Sequence, residues 1–153
     1  MFDLDFISVN WWQVLSHLSH LLVAYALALP IGLDRQMSER HFGLRTFPLV
    51  AVVSCGFMLV GMDVISSADG KARVIQGIIT GIGFIGGGAI LKNDGHISGM
   101  ASAASIWNTG AIGLAVAFNR FEIAFVLSFL NFMTLRWVKK FKPSVEKIDE
   151  DSS

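Results

Sequence analysis

Charged residues at the edge of an apolar run are the first places to look for chemistry, and Asp34 and Arg35 directly follow a run interrupted at Pro30. Ionisable groups in such positions face a bundle interior and pair with one another. Arg45, at the entrance to the next apolar run, is the expected partner of Asp34, a pair that holds the two runs in register. The functional alternative makes Asp34 the acceptor for a cation or for a partner's basic group. A second set comprises Asp69, Arg73 and Gln76, with Arg73 and Gln76 on one helical face at the mouth of a third run; anchoring at the membrane interface would also explain it. A third is polar within an apolar run: Ser102, Ser105, Asn108 and Thr109, with Trp107 among them. Ser105 and Asn108 are three apart and share a face, so the asparagine is placed to hydrogen-bond across helices for about 1 kcal/mol. Packing glue and a transport ligand are its two roles.

Other constellations are excluded by context. His17 and His20 share a face, but no other ligand type accompanies them, so they are read as interfacial or packed histidines and any metal site is left unassigned. Gly81, Gly83 and Gly86 spell the dinucleotide fingerprint GxGxxG inside an apolar run. That motif needs a preceding strand and an acid about 20 residues on, whereas the next acid is Asp94 in a turn. Only Ser98 and Ser102 stand near His96, with nothing to orient its imidazole. Neither an enzyme nor a cofactor is expected. The lone Cys55 lies within an apolar run, which excludes an internal disulfide and suits a small buried hydrophobe.

The elements that position these residues follow from composition. The chain has 153 residues, 53% hydrophobic and 16% charged, with a mean hydropathy of +0.58. Several long apolar runs have too little polar sequence to cover them, which specifies an integral membrane protein. At roughly 20 residues per span, about five spans use some two-thirds of the chain and leave no room for an extramembrane domain. Twelve basic residues balance twelve acidic ones. The expected partners are the lipid bilayer and another membrane protein or a second copy, with no nucleic acid.

The fold class is therefore all-α, a polytopic bundle of about five transmembrane helices. Residues 1–13 form a short outer segment with Trp11 and Trp12 as interfacial anchors; it lacks the basic start of a cleavable signal peptide. The spans are Val14–Leu33, which Pro30 should kink or end, then Phe47–Ile65, Val74–Leu91, Ala101–Phe118 and Phe121–Val138. Lys92 to His96 make a tight polar turn around an Asp-Gly step. Residues 139–153 form a tail, basic and then acidic. Nine Lys and Arg fall on one side of this arrangement and three on the other. The positive-inside rule then puts the N-terminus outside and the tail in the cytoplasm. A four-span version with one re-entrant segment is the alternative.

Gly77, Gly81, Gly83, Gly86, Gly87 and Gly88 crowd the third span. In water each would cost a helix about 1 kcal/mol, whereas in lipid small residues let backbones approach closely. Gly77, Gly81 and Gly88 share a face with Phe84 between them. The expectation is a tightly buried central helix, with more small residues in spans three and four than five helices alone need.

The ordered set GLDRQ at 32–36, GLRT at 43–46, GIGFIGGGAI at 81–90 and ISGMASAASIWNTGAIG at 97–113 resembles the membrane domain of MgtC/SapB proteins. The resemblance implies a multi-pass protein of the bacterial inner membrane, linked to adaptation to low magnesium and in some pathogens to survival inside macrophages. It further implies a modulator of membrane partners, the rotary ATP synthase being one, or a magnesium transporter. Matched by motif, the positions carried over are Asp34, Arg35, Arg45, Arg73, Gln76, the glycines from Gly81 to Gly88, and Trp107. The chain departs from the pattern at Gln36, where an acid is usual, at Gly70, where proline is usual, and at Gly99 to Ser102, which loses one hydroxyl. The tail is too short for the soluble ACT-like domain of longer members.

Overall fold

The computed structural model describes residues 10–38, 43–93 and 96–138. The apolar runs become five helices: α1 (Trp11–Ser38), α2 (Thr46–Val64), α3 (Ala68–Gly88), α4 (Met100–Ala117) and α5 (Phe121–Val138). Between α3 and α4, β1 (Leu91–Asn93) pairs antiparallel with β2 (His96–Ser98). Asn93 opposes His96, and the Asp-Gly step expected to make the turn lies outside the described residues. The sequence reading had a turn here but no strands. Segments 1–9 and 139–153 lie outside the described residues.

Local chemistry sets the helix ends. Ser67 caps α3 by accepting the Gly70 N–H at 3.1 Å, and Asp69 in the first turn complements the helix dipole. Pro48 sits in the first turn of α2, where its missing N–H costs nothing. Gly99 precedes α4 at φ 85°, and a Cβ there would strike the Ala89 carbonyl oxygen. The turn from α4 to α5 passes through Asn119 at φ 57°, a left-handed conformation that asparagine tolerates better than most residues.

Two expectations about the helices are corrected. Of the kink or end expected at Pro30 the end does not occur, and α1 continues to Ser38. Proline removes a single intrahelical bond, and the turn beyond it buries Ile31 in the core and packs Gly32 against Leu44 and Pro48. Nor is α3 the central helix. Helix α4 is: it packs against all four others, most extensively against α2, and buries ten residues on one broad face, from Ser102 to Ala117. Only Ile82 and Gly86 of α3 are buried. Residues spaced three, four and seven apart share a face, but that spacing does not say whether the face turns inward. Here the isoleucine and Gly86 side of α3 meets α4, and the line Gly77, Gly81, Gly88 faces away.

The core is a column of small and branched residues: Ala24, Ala28 and Ile31 of α1, Phe47, Ala51, Cys55 and Met58 of α2, Ile106, Ile112 and Val116 of α4, and Ala124 of α5. Around it, large apolar side chains such as Leu22, Phe57, Phe84, Phe125 and Phe129 point outward, the inverse of a water-soluble surface. Three helices, Trp11–Met37, α2 and α4, are each long and apolar enough to cross a membrane.

Candidate functional site

Short connections make successive helices run in opposite directions, so the candidate residues divide between the two ends of the bundle. At the hairpin end lie the C-terminal part of α1 and the start of α2. Asp34 and Arg35 are both buried there, each 4% exposed, with Arg35 Nη2 donating to Asp34 Oδ2 at 3.0 Å. Arg45 is exposed at the entrance to α2. The expected Asp34–Arg45 pair is therefore replaced by one between chain neighbours. Its cause is the continuation of α1 past Pro30, which carries Asp34 and Arg35 into the packed end of the bundle while Arg45 stays in the connecting turn. A buried ion pair stabilises little in net terms because both charges are desolvated, but stranding one of them costs several kcal/mol.

The opposite end gathers the start of α1, the end of α2, the start of α3 and the α4–α5 turn. His17 Nε2 lies 3.8 Å from Asp63 Oδ2, linking α1 to α2. His20 links α1 to the α4–α5 turn, with its Nε2 2.9 Å from Asn119 Oδ1 and its Nδ1 2.7 Å from the Ser16 carbonyl oxygen. The two histidines expected to be interfacial or packed are thus ties between helices. Asp69, Arg73 and Gln76 are exposed on α3 at this same end. No ion pair involves them among the described residues.

Between the ends, a polar seam joins α4 to α5. Ser105 Oγ donates to Asn131 Oδ1 at 3.1 Å, and Asn108 Nδ2 donates to the Leu127 carbonyl at 3.3 Å. Thr109 turns its hydroxyl back onto the Ser105 carbonyl. Ser128 Oγ donates to the Leu27 carbonyl at 2.6 Å and ties α5 to α1. The bond of Asn108 across helices is as the sequence implied. The α5 counterparts, Ser128 and Asn131, escaped notice although the same signal marks them, two polar residues three apart inside an apolar run. Trp107 stands on the outer side of α4, 53% exposed.

The glycines of α3 have two fates. A Cβ on Gly86 would sit 3.2 Å from the Ala103 carbonyl oxygen, so that glycine sets the α3–α4 approach. Around Gly77, Gly81, Gly83, Gly87 and Gly88 there is nothing within 4 Å of an added Cβ. Phe84 on the same open side is 85% exposed. Beside this face α3 and α2 diverge, leaving an almost wholly apolar groove of about 710 Å³. Val53, Phe57 and Val60 line it from α2, and Gly77, Gly81 and Ile85 from α3.

A family model described as the MgtC family matches residues 21–143, which takes in the buried Asp34–Arg35 pair, the open α3 face and the polar seam. The chain belongs to the MgtC family. It is 34% identical to protein SrpB of Synechococcus elongatus over 133 residues, 78% of this chain and 73% of that one. It is 35% identical to protein MgtC of Salmonella typhimurium over 108 residues, 71% of this chain and 46% of that one. To YhiD of Escherichia coli K12, which carries the name "Putative magnesium transporter YhiD", it is 34% identical over 122 residues, 75% of this chain and 57% of that one. The chain thus spans about half the length of MgtC and YhiD. No solved structure matches it. With this membership and its span-capable helices, it is a membrane protein of the MgtC family, related to MgtC and to YhiD, the latter named as a putative magnesium transporter.

Proposed function

We propose that this MgtC-family protein is a non-enzymatic regulator of the bacterial inner membrane that works by packing the open face of α3 against a protein in the same bilayer. The observation that carries it is the row of α3 glycines with nothing opposite them. In lipid, helix association relies on close backbone approach and not on a hydrophobic driving force, so an uncovered row of glycines suits a protein ligand. All five helices cross the membrane, with the N-terminus outside. Magnesium limitation is the condition in which the regulator acts, and in pathogens virulence is the trait it serves. The ATP synthase membrane sector is one partner that the family resemblance supports. The test is photo-crosslinking from α3 in native membranes grown at low and high magnesium. Adducts from position 84 but not from the buried position 82 are expected; none from either at any magnesium level would sink the proposal.

A second reading, passage of Mg2+ or another ion or small solute, draws on the buried Asp34–Arg35 pair, because ionisable groups inside spans mark ion pathways. Helix α1 runs through Pro30, so this reading rests on the pair alone. Flux into proteoliposomes decides it: transport by wild type that collapses in Asp34→Ala supports the pathway, and absence of flux removes it.

A further inference from the structure

We infer that the occupant of the open α3 face is a second copy of this chain, bound about a two-fold axis along the membrane normal with α3 against α3. The inference rests on the proposed role of that face in protein packing and names its partner.

Copies inserted in one membrane with one topology present their α3 helices parallel, and a two-fold contact requires a surface complementary to itself, residue i meeting j while j meets i. The face meets this requirement in shape. Phe84 projects almost fully into the surroundings, flanked on its own stripe by Gly81 and Gly88, neither of which has anything within 4 Å of an added Cβ. A large knob beside two empty holes is what two parallel helices interlock with, the phenyl ring of each copy entering the space over the other's glycines. Gly77 and Gly81, one turn apart, let the backbones cross closely.

It meets the requirement in charge as well. Asp69 and Arg73 stand one turn apart at the start of the same side of α3, both exposed, and neither makes an ion pair among the described residues. Thr80, on the same side, is satisfied by its own helix, donating to the Gln76 carbonyl at 2.8 Å, and the Gln76 amide there is uncharged. The charged groups of this side are thus one acid and one base. Across a parallel two-fold axis, Asp69 of each copy meets Arg73 of the other, giving two reciprocal pairs. A binding face for a different protein needs only one sign of charge; a self-complementary face needs both.

The test is cysteine cross-linking of the full chain in native membranes, in a Cys55→Ala background. Gly77→Cys and Phe84→Cys should each yield a self-adduct at twice the monomer mass, and Ile82→Cys, on the side of α3 turned to α4, should not. In the Phe84→Cys protein, adding Asp69→Arg or Arg73→Asp should each lower the adduct yield severalfold, and the double swap should restore it. That restoration distinguishes a reciprocal pair from a local effect on folding. Equal adducts at positions 77, 82 and 84 would report random collision and overturn the inference. Adducts from positions 77 and 84 only to a different protein would also overturn it, while leaving the regulator proposal standing. No adduct of any kind would remove both.

Discussion

Helices α3 and α4 have similar sequences and opposite surroundings. Both are rich in glycine, alanine and small polar residues, yet α4 touches every other helix and α3 leaves most of its glycines uncovered. In α4, a Cβ on Gly110 would run into the end of the Ile82 side chain, and one on Gly113 would strike the Ala51 carbonyl oxygen and come 3.0 Å from the Cys55 nitrogen. These glycines are spent inside the protomer. Those of α3 are not, apart from Gly70 in its first turn and Gly86. Glycine density therefore reports that a helix can be approached closely; the residues between the glycines decide from where. Helix α4 turns Ser102, Ser105, Ile106, Thr109 and Ile112 into the bundle on one broad face that also carries Gly110 and Gly113, whereas α3 gathers Ile75, Ile78 and Ile82 on one side, away from most of its glycines, and charges its first turn.

The contrast breaks most visibly at Gly113. Gly113→Ala pushes a methyl group into the backbone of α2, which has no rotamer through which to yield. Overpacking costs about 1–3 kcal/mol, and this site belongs at the upper end or beyond. SDS-titrated unfolding in mixed micelles should show a lower midpoint and reduced yield of folded protein. Wild-type stability would mean that α2 and α4 are not locked at this point. Gly110→Ala should cost less, about 1 kcal/mol, because the obstacle is the flexible tip of Ile82. A companion Ile82→Val, which shortens that tip, should recover part of the loss, and failure to recover any would place the clash elsewhere.

The seam from α4 to α5 offers a smaller effect. Asn108→Ala removes the bond to the Leu127 carbonyl, and interhelical hydrogen bonds in membranes average about 0.6 kcal/mol. The same titration should resolve that as a slight shift, with Ser105→Ala similar. A loss of several kcal/mol would show the seam to be a cooperative network including Asn131 and Ser128.

Much of this was legible in advance. Helix existence and order followed from the apolar runs, and the last span, Phe121–Val138, matches α5 at both ends. The bond of Asn108 across helices followed from a polar residue inside an apolar run. Three features did not follow. The orientation of α3 escaped because helical periodicity groups residues on a face without pointing that face anywhere. The continuation of α1 past Pro30 escaped because a single lost hydrogen bond is outweighed by burial that only the assembled bundle supplies. The partner of Asp34 escaped for the same reason: a span ending at Leu33 makes Arg45 at the mouth of the next span the expected partner, whereas α1 carries Arg35 on into the bundle beside Asp34. The carried-over positions meanwhile divide between two ends, Asp34, Arg35 and Arg45 at one and Arg73 and Gln76 at the other, a separation that no linear motif expresses.

The smallest expected effect sharpens the comparison furthest. Gly83 is exposed, has nothing within 4 Å of an added Cβ, and lies off the line of Gly77, Gly81, Phe84 and Gly88. Gly83→Ala should leave unfolding unchanged or raise the midpoint, since replacing an unconstrained helical glycine by alanine gains up to about 1 kcal/mol of helix propensity in water and less in lipid. Its cross-linking from position 84 should also stay at the wild-type level. A glycine that is free in the protomer and outside the contact stripe has no reason to be glycine, so a destabilised Gly83→Ala protein would mean that α3 packs against something on that side too. That result would extend the covered surface of α3 beyond one stripe, and the difference between the two helices would become one of protomer against assembly instead of packed against open.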